Sequence, residues 1–150
     1  MQQPGIRTVA LKSEAQQAIL ALHRMRQQLV KSRTAQINGL RGLLTEYGEV
    51  MPVGRAGVLR QLPAALGRLS QRLPAMLIET LREQFARIQS LEQQIEQIEA
   101  RLRQWQRSDP ASQRIAAIPG VGLLTATAAV ATIGDPRVFK SGREFAAECR

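Results

Sequence analysis

Aromatic residues are almost missing from this chain, at 3% of its 150 residues. Hydrophobic residues nevertheless make up 44%, so any core must be built from Leu, Ile, Val and Ala, and Leu and Ala favour helices. Cysteine is nearly absent too. The single one, Cys149, excludes an internal disulfide framework and points to a reducing cytoplasm. No apolar run nears the roughly 20 residues that a bilayer span needs, so a membrane is not an expected partner. Met1-Gln-Gln-Pro-Gly5 leads into no apolar leader segment. The one histidine, His23, has no metal-ligating neighbour in sequence. The acids form no spaced Asp/Glu set, because most lie on one long helix (Glu79, Glu83, Glu92, Glu96, Glu99), and Cys149 has no evident activating base. No nucleotide-loop, dinucleotide or zinc pattern is present. The reading therefore assigns no catalytic residue, no metal site and no cofactor to this chain.

Lysine is scarce as well. Only Lys12, Lys31 and Lys140 are lysines; the other cations are arginines, and 21 Lys and Arg stand against 12 Asp and Glu, a net charge of +9. Such an excess argues about partners, not about fold. Arginine forks suit phosphates and guanine edges, which makes DNA or RNA the first candidate. A GC-rich genome would enrich arginine without any such function.

Along the chain, residues 1–12 read as a short extended piece. Ser13 and Gln16 form a capping box that opens a helix from Glu14 to about Glu46. Ile19, Leu22, Leu29, Ile37, Leu40 and Leu44 fall on one side of it. Gly48 and Pro52 end it. Arg26 and Arg33 project into the same apolar sector, where they either pair with acids on another helix or face nucleic acid from a groove. Residues 52–73 form a connector broken by Pro63, with short helices near Arg55–Leu62 and Ala64–Arg72 expected. A long helix follows from Pro74 to about Arg107. Leu81, Ile88, Ile95 and Leu102 hold one heptad position; Leu77, Leu91, Ile98 and Trp105 hold the other, with Gln84 as the exception. This spacing argues for a coiled coil, and hence a homo-oligomer through residues 74–107 with Arg87 facing Glu92 of a second copy. The same stripe could instead pack on the chain's own first helix.

Asp109 caps a short helix with Pro110 at its first position, and a second helix spans Leu123 to Ile133, ended by Gly134. Between them lies Ile118-Pro119-Gly120-Val121-Gly122, the pattern of a helix-hairpin-helix. Glycines permit a tight turn, and the turn would present the amides of Gly120, Val121 and Gly122, with the N-terminus of the second helix, to a DNA phosphate. Thr125 could add a hydroxyl, and Lys140 and Arg143 supply charge downstream. Ser141 and Glu144 form a further capping box. The alternative is a plain helical hairpin with no ligand.

Ile118-Pro-Gly-Val-Gly-Leu-Leu-Thr-Ala-Thr-Ala128, Ile133-Gly-Asp-Pro136 and Phe139-Lys-Ser-Gly-Arg-Glu-Phe-Ala-Ala147 closely resemble the C-terminal domain of the DEDD (RuvC-like) insertion-sequence transposases, insertion-sequence one-ten family, whose recombination is RNA-guided. Val9 to Ser13, Gln16-Gln17, Leu20 to Arg24, Arg33-Thr34 and Asn38 to Arg41 resemble the segment after that family's nuclease domain and its linking helices. The heptad helix resembles its coiled coil. The resemblance implies four metal-binding acids upstream of Met1, a divalent metal (Mg) for the full-length protein, and a nucleophilic serine downstream of the Phe-Ala-Ala segment. Here that segment continues as Glu148-Cys149-Arg150, and Ser141 matches the helix-start serine rather than the nucleophile. The expectation is a copy truncated at both ends, decayed or frameshifted, lacking both catalytic sets.

The resulting reading is an all-α chain: a long helix, a coiled-coil helix and a helix-hairpin-helix-like C-terminal piece. Residues 1–12 are a remnant of the nuclease domain, 13–107 the helical linker and coiled coil, and 108–150 a partial C-terminal domain. The expected function is a cytoplasmic, nucleoid-associated transposase fragment binding DNA, with guide RNA as a second partner. The alternative is a coiled-coil interaction protein without nucleic-acid binding. In a third reading the fragment joins full-length copies in a mixed oligomer.

Overall fold

The computed structural model of the chain describes residues 12–133. Among these, five α-helices and no strands occur: α1 (Glu14–Glu46), α2 (Arg55–Leu69), α3 (Ala75–Ser108), α4 (Pro110–Ala116) and α5 (Leu123–Ile133). The all-α class is as the composition requires. The extended piece at residues 1–11, Gly134, the capping box at Ser141, Lys140 and Arg143 all lie outside the described residues.

The chain forms two compact units. One contains residues 26–98: the later part of α1, all of α2 and most of α3. The other contains residues 12–25 and 99–133 among those described: the start of α1, the end of α3, α4 and α5.

In the first of these units, each helix buries one aliphatic stripe. Ile37, Leu40 and Leu44 from α1 meet Val58, Leu62, Ala65, Leu66 and Leu69 from α2 and Ile78, Leu81 and Ile88 from α3. Met51, in the α1–α2 loop, completes this core. The loop begins where the Gly48 amide donates to the Thr45 carbonyl (3.0 Å) and the Glu49 amide to that of Leu44 (3.0 Å). The Arg68 guanidinium grips Glu49 with two hydrogen bonds, 3.0 and 2.5 Å. These bonds, helped by the charges of Arg68 and Arg72, hold the Glu49 carboxyl below its ordinary pKa, with desolvation opposing.

One sequence expectation changes here. The connector is one helix, not two, and Pro63 sits inside it. Proline cannot donate to the carbonyl four residues back and costs about 3 kcal/mol in a helix interior. The helix continues because Val58, Leu62, Leu66 and Leu69 share the buried face, each contributing about 1.5–3 kcal/mol on burial, while Pro63 itself is exposed. The heptad stripe of α3 has neighbours within the chain. Leu81 and Ile88 are buried in the core shared with α1 and α2, which is the intramolecular arrangement. Glu92 is held by Arg33 of its own chain (2.9 Å) and by Arg55. Arg87 is exposed.

Arg33 is thereby explained. Its side chain and that of Glu92 are only 15% and 14% exposed, so the cation in the apolar stripe of α1 has an acid partner on α3. Such a pair serves arrangement more than stability, because desolvating both charges offsets their attraction.

Truncating Ile88 to Ala should destabilise the chain by about 2–5 kcal/mol. Met76→Ala, at a side chain 78% exposed, should shift it by no more than about 0.5 kcal/mol. Urea unfolding followed by circular dichroism distinguishes them; equal costs would mean that the α3 stripe is not buried in the chain's own core.

Candidate nucleic-acid interface

The candidate site is the α4–turn–α5 segment, whose two helices pack on one another. Asp109 is the N-cap of α4: its carboxylate accepts a hydrogen bond from the Ser112 amide (2.7 Å), and Pro110 follows at the first helical position. Proline loses nothing there, since that amide has no helical acceptor. The Gln113 side-chain amide donates to the Arg107 carbonyl at 2.6 Å, tying α4 to the last turn of α3.

The chain then tightens. The Ala117 amide donates to Gln113 O (3.1 Å), the Ile118 amide to Ile115 O (3.1 Å) and the Val121 amide to Ile118 O (3.0 Å). Gly120 sits at φ 85°, where side-chain-bearing residues are strained, and so reverses the chain. Gly122 is the N-cap of α5, its carbonyl accepting from the Ala126 amide (3.0 Å). The first amides of α5, at Leu123, Leu124 and Thr125, accordingly have no helical acceptor.

The predicted site residues divide as follows. Gly120, Gly122 and Thr125 are exposed and lie together in the turn and the first turn of α5. Val121 is half-buried and its amide is already engaged by Ile118, which removes it from the donors that the turn can offer. A Cβ placed on Gly120 or Gly122 would meet no atom within 4 Å. At Gly122, where φ is not positive, the fold itself therefore does not demand glycine. Exposed Arg107 and Arg114 flank the hairpin.

Thr127 follows Thr125 in the same helix but has a different role. It is fully buried; its hydroxyl donates to the Leu123 carbonyl (2.8 Å) and is hydrogen-bonded with His23 Nε2 (3.0 Å). His23, which has no metal-ligating neighbour in sequence, is half-buried and bound to α5. These residues are 104 positions apart, and nothing in their sequence context signals the pairing.

Among the described residues, no three of His, Cys, Asp and Glu gather as a metal site, and no helix is long and apolar enough to cross a membrane.

Replacing Thr127 by Val keeps the shape but removes the hydroxyl that His23 Nε2 bonds. The expected cost is about 1–3 kcal/mol, read as a lower thermal midpoint. An unchanged midpoint would show that the bond contributes nothing to holding α5.

Residues 112–150 match the family model described as Transposase IS116/IS110/IS902 family. The chain is 40% identical over 96% of its length to a Pseudomonas aeruginosa protein named "Probable family 20 transposase", of which it covers 43%. It is 35% identical, over 96% of its length, to the transposase for insertion sequence element IS1328 of Yersinia enterocolitica, covering 42% of that protein. It is also 35% identical, over 95% of its length, to the transposase for insertion sequence element IS1111A of Coxiella burnetii, covering 39%. No solved structure matches the chain. The chain thus spans less than half the length of these relatives, and the α4–turn–α5 hairpin falls almost wholly inside the segment that the family model matches: over that segment the chain is similar to the IS116/IS110/IS902 family of transposases.

Proposed function

We propose that this chain is the DNA-binding part of an insertion-sequence transposase, and that it holds the sugar-phosphate strand at the turn of residues 119–122. The observation that carries the reading is the exposed turn itself: Gly120 and Gly122 have open space above them and lead directly into the unpaired amides of α5. Those amides lie at the positive end of the helix dipole, where a phosphate is favoured. The Thr125 hydroxyl, exposed one turn in, donates a further hydrogen bond. Arg107 and Arg114 add charge, as do Lys140 and Arg143 of the matched segment. A contact of this kind positions the protein on DNA without reading bases.

In this reading the role of the chain is to hold DNA. The divalent metal implied for the full-length protein has no ligand set among the described residues, and no step here runs through it. Guide RNA, a second polyanion, would meet the same donors.

Filter binding of a short DNA duplex should show affinity falling steeply with salt, the mark of counterions released by phosphate contacts. Gly122→Val should leave the helical circular dichroism intact, because its side chain enters open space, yet lower affinity about tenfold by keeping the phosphate off the backbone. A flat salt dependence, or unchanged affinity in the variant, would refute the reading.

A further inference from the structure

We propose that Ile118 and Pro119 act as an apolar wedge that enters a base step of the bound DNA duplex. This rests on the DNA-binding reading above and adds a distortion of the duplex that phosphate contacts alone do not require. Ile118 is 54% exposed, whereas Ile115, Val121, Leu123 and Leu124 around it are at least half-buried. Pro119 beside it is exposed as well. Two hydrogen bonds pin the wedge, from the Ile118 amide to Ile115 O and from the Val121 amide to Ile118 O. Its backbone is therefore ordered before it meets a ligand, which lowers the entropic cost of insertion. Charge favours a polyanion as the occupant: from Pro110 to Ile133 the sequence carries Arg114 and no acid. Apolar side chains of this type, set among cationic and backbone phosphate contacts, partly unstack a step and kink the duplex. Pyrimidine–purine steps yield most easily.

The probe is a short duplex with one central TA step in which 2-aminopurine replaces the adenine, titrated with the full 150-residue chain. Fluorescence should rise severalfold on binding. Ile118→Ser should abolish the rise and leave the salt slope unchanged, since the slope counts phosphates; Ile118→Leu should retain it. Circular dichroism confirms that both variants are folded, as expected for a side chain more than half exposed. Salt-dependent binding without a fluorescence rise, or the same rise with Ile118→Ser, would overturn the wedge and leave the phosphate reading standing. No binding at all would remove both.

Discussion

The hydrogen bond from the Val121 amide to the Ile118 carbonyl is the constraint on which the candidate site depends. It closes a turn that only a residue able to adopt positive φ can complete, and Gly120 at φ 85° supplies that conformation. Once the turn is closed, the amides opening α5 have one fixed direction and Ile118 has one fixed exposure. The same bond takes Val121 out of the donor set. Three candidate turn amides thus become two, plus those that begin α5, and the site moves from the turn alone to the junction of turn and helix.

Charge is used in two ways in this chain. Arg33 and Arg68 are committed to acids, Glu92 and Glu49, and organise the unit of residues 26–98. Arg107 and Arg114 are exposed beside the hairpin. A net charge counted from composition treats these alike. The second kind is the more open to a further partner, because a guanidinium already satisfied by a half-buried carboxylate gains little by exchanging it.

Low aromatic content shapes the rest. With few large flat side chains, the helices bury narrow aliphatic stripes, and each stripe needs a partner close by. The α3 stripe shows this: Leu81 and Ile88 are taken up by Ile37, Leu40 and Leu44 of α1 together with α2. A heptad pattern records only that one face is apolar; it does not say whether the covering surface is another molecule or the same one.

Much of the local structure was legible in the residues. The Ser13–Gln16 capping box is formed as expected, with the Ser13 amide donating to Gln16 (2.9 Å) and the Gln16 amide to the Ser13 hydroxyl (3.2 Å). The bounds of α1, the Asp109 cap and the two hairpin helices were legible for the same reason: caps, prolines and glycines act on backbone groups within four residues. What lay beyond that range was decided by tertiary structure. Pro63 stays inside α2 because the buried face on either side outweighs its local cost. Glu92 takes Arg33 and Arg55 as partners, and Thr127 is occupied by His23 rather than by a ligand. Apart from the break expected at Pro63, the sequence by itself determined which described segments are helical and where they turn, since those choices rest on neighbours along the chain. The fold alone decided which stripe, cation and hydroxyl remain open to a partner, since that depends on which distant side chains arrive first.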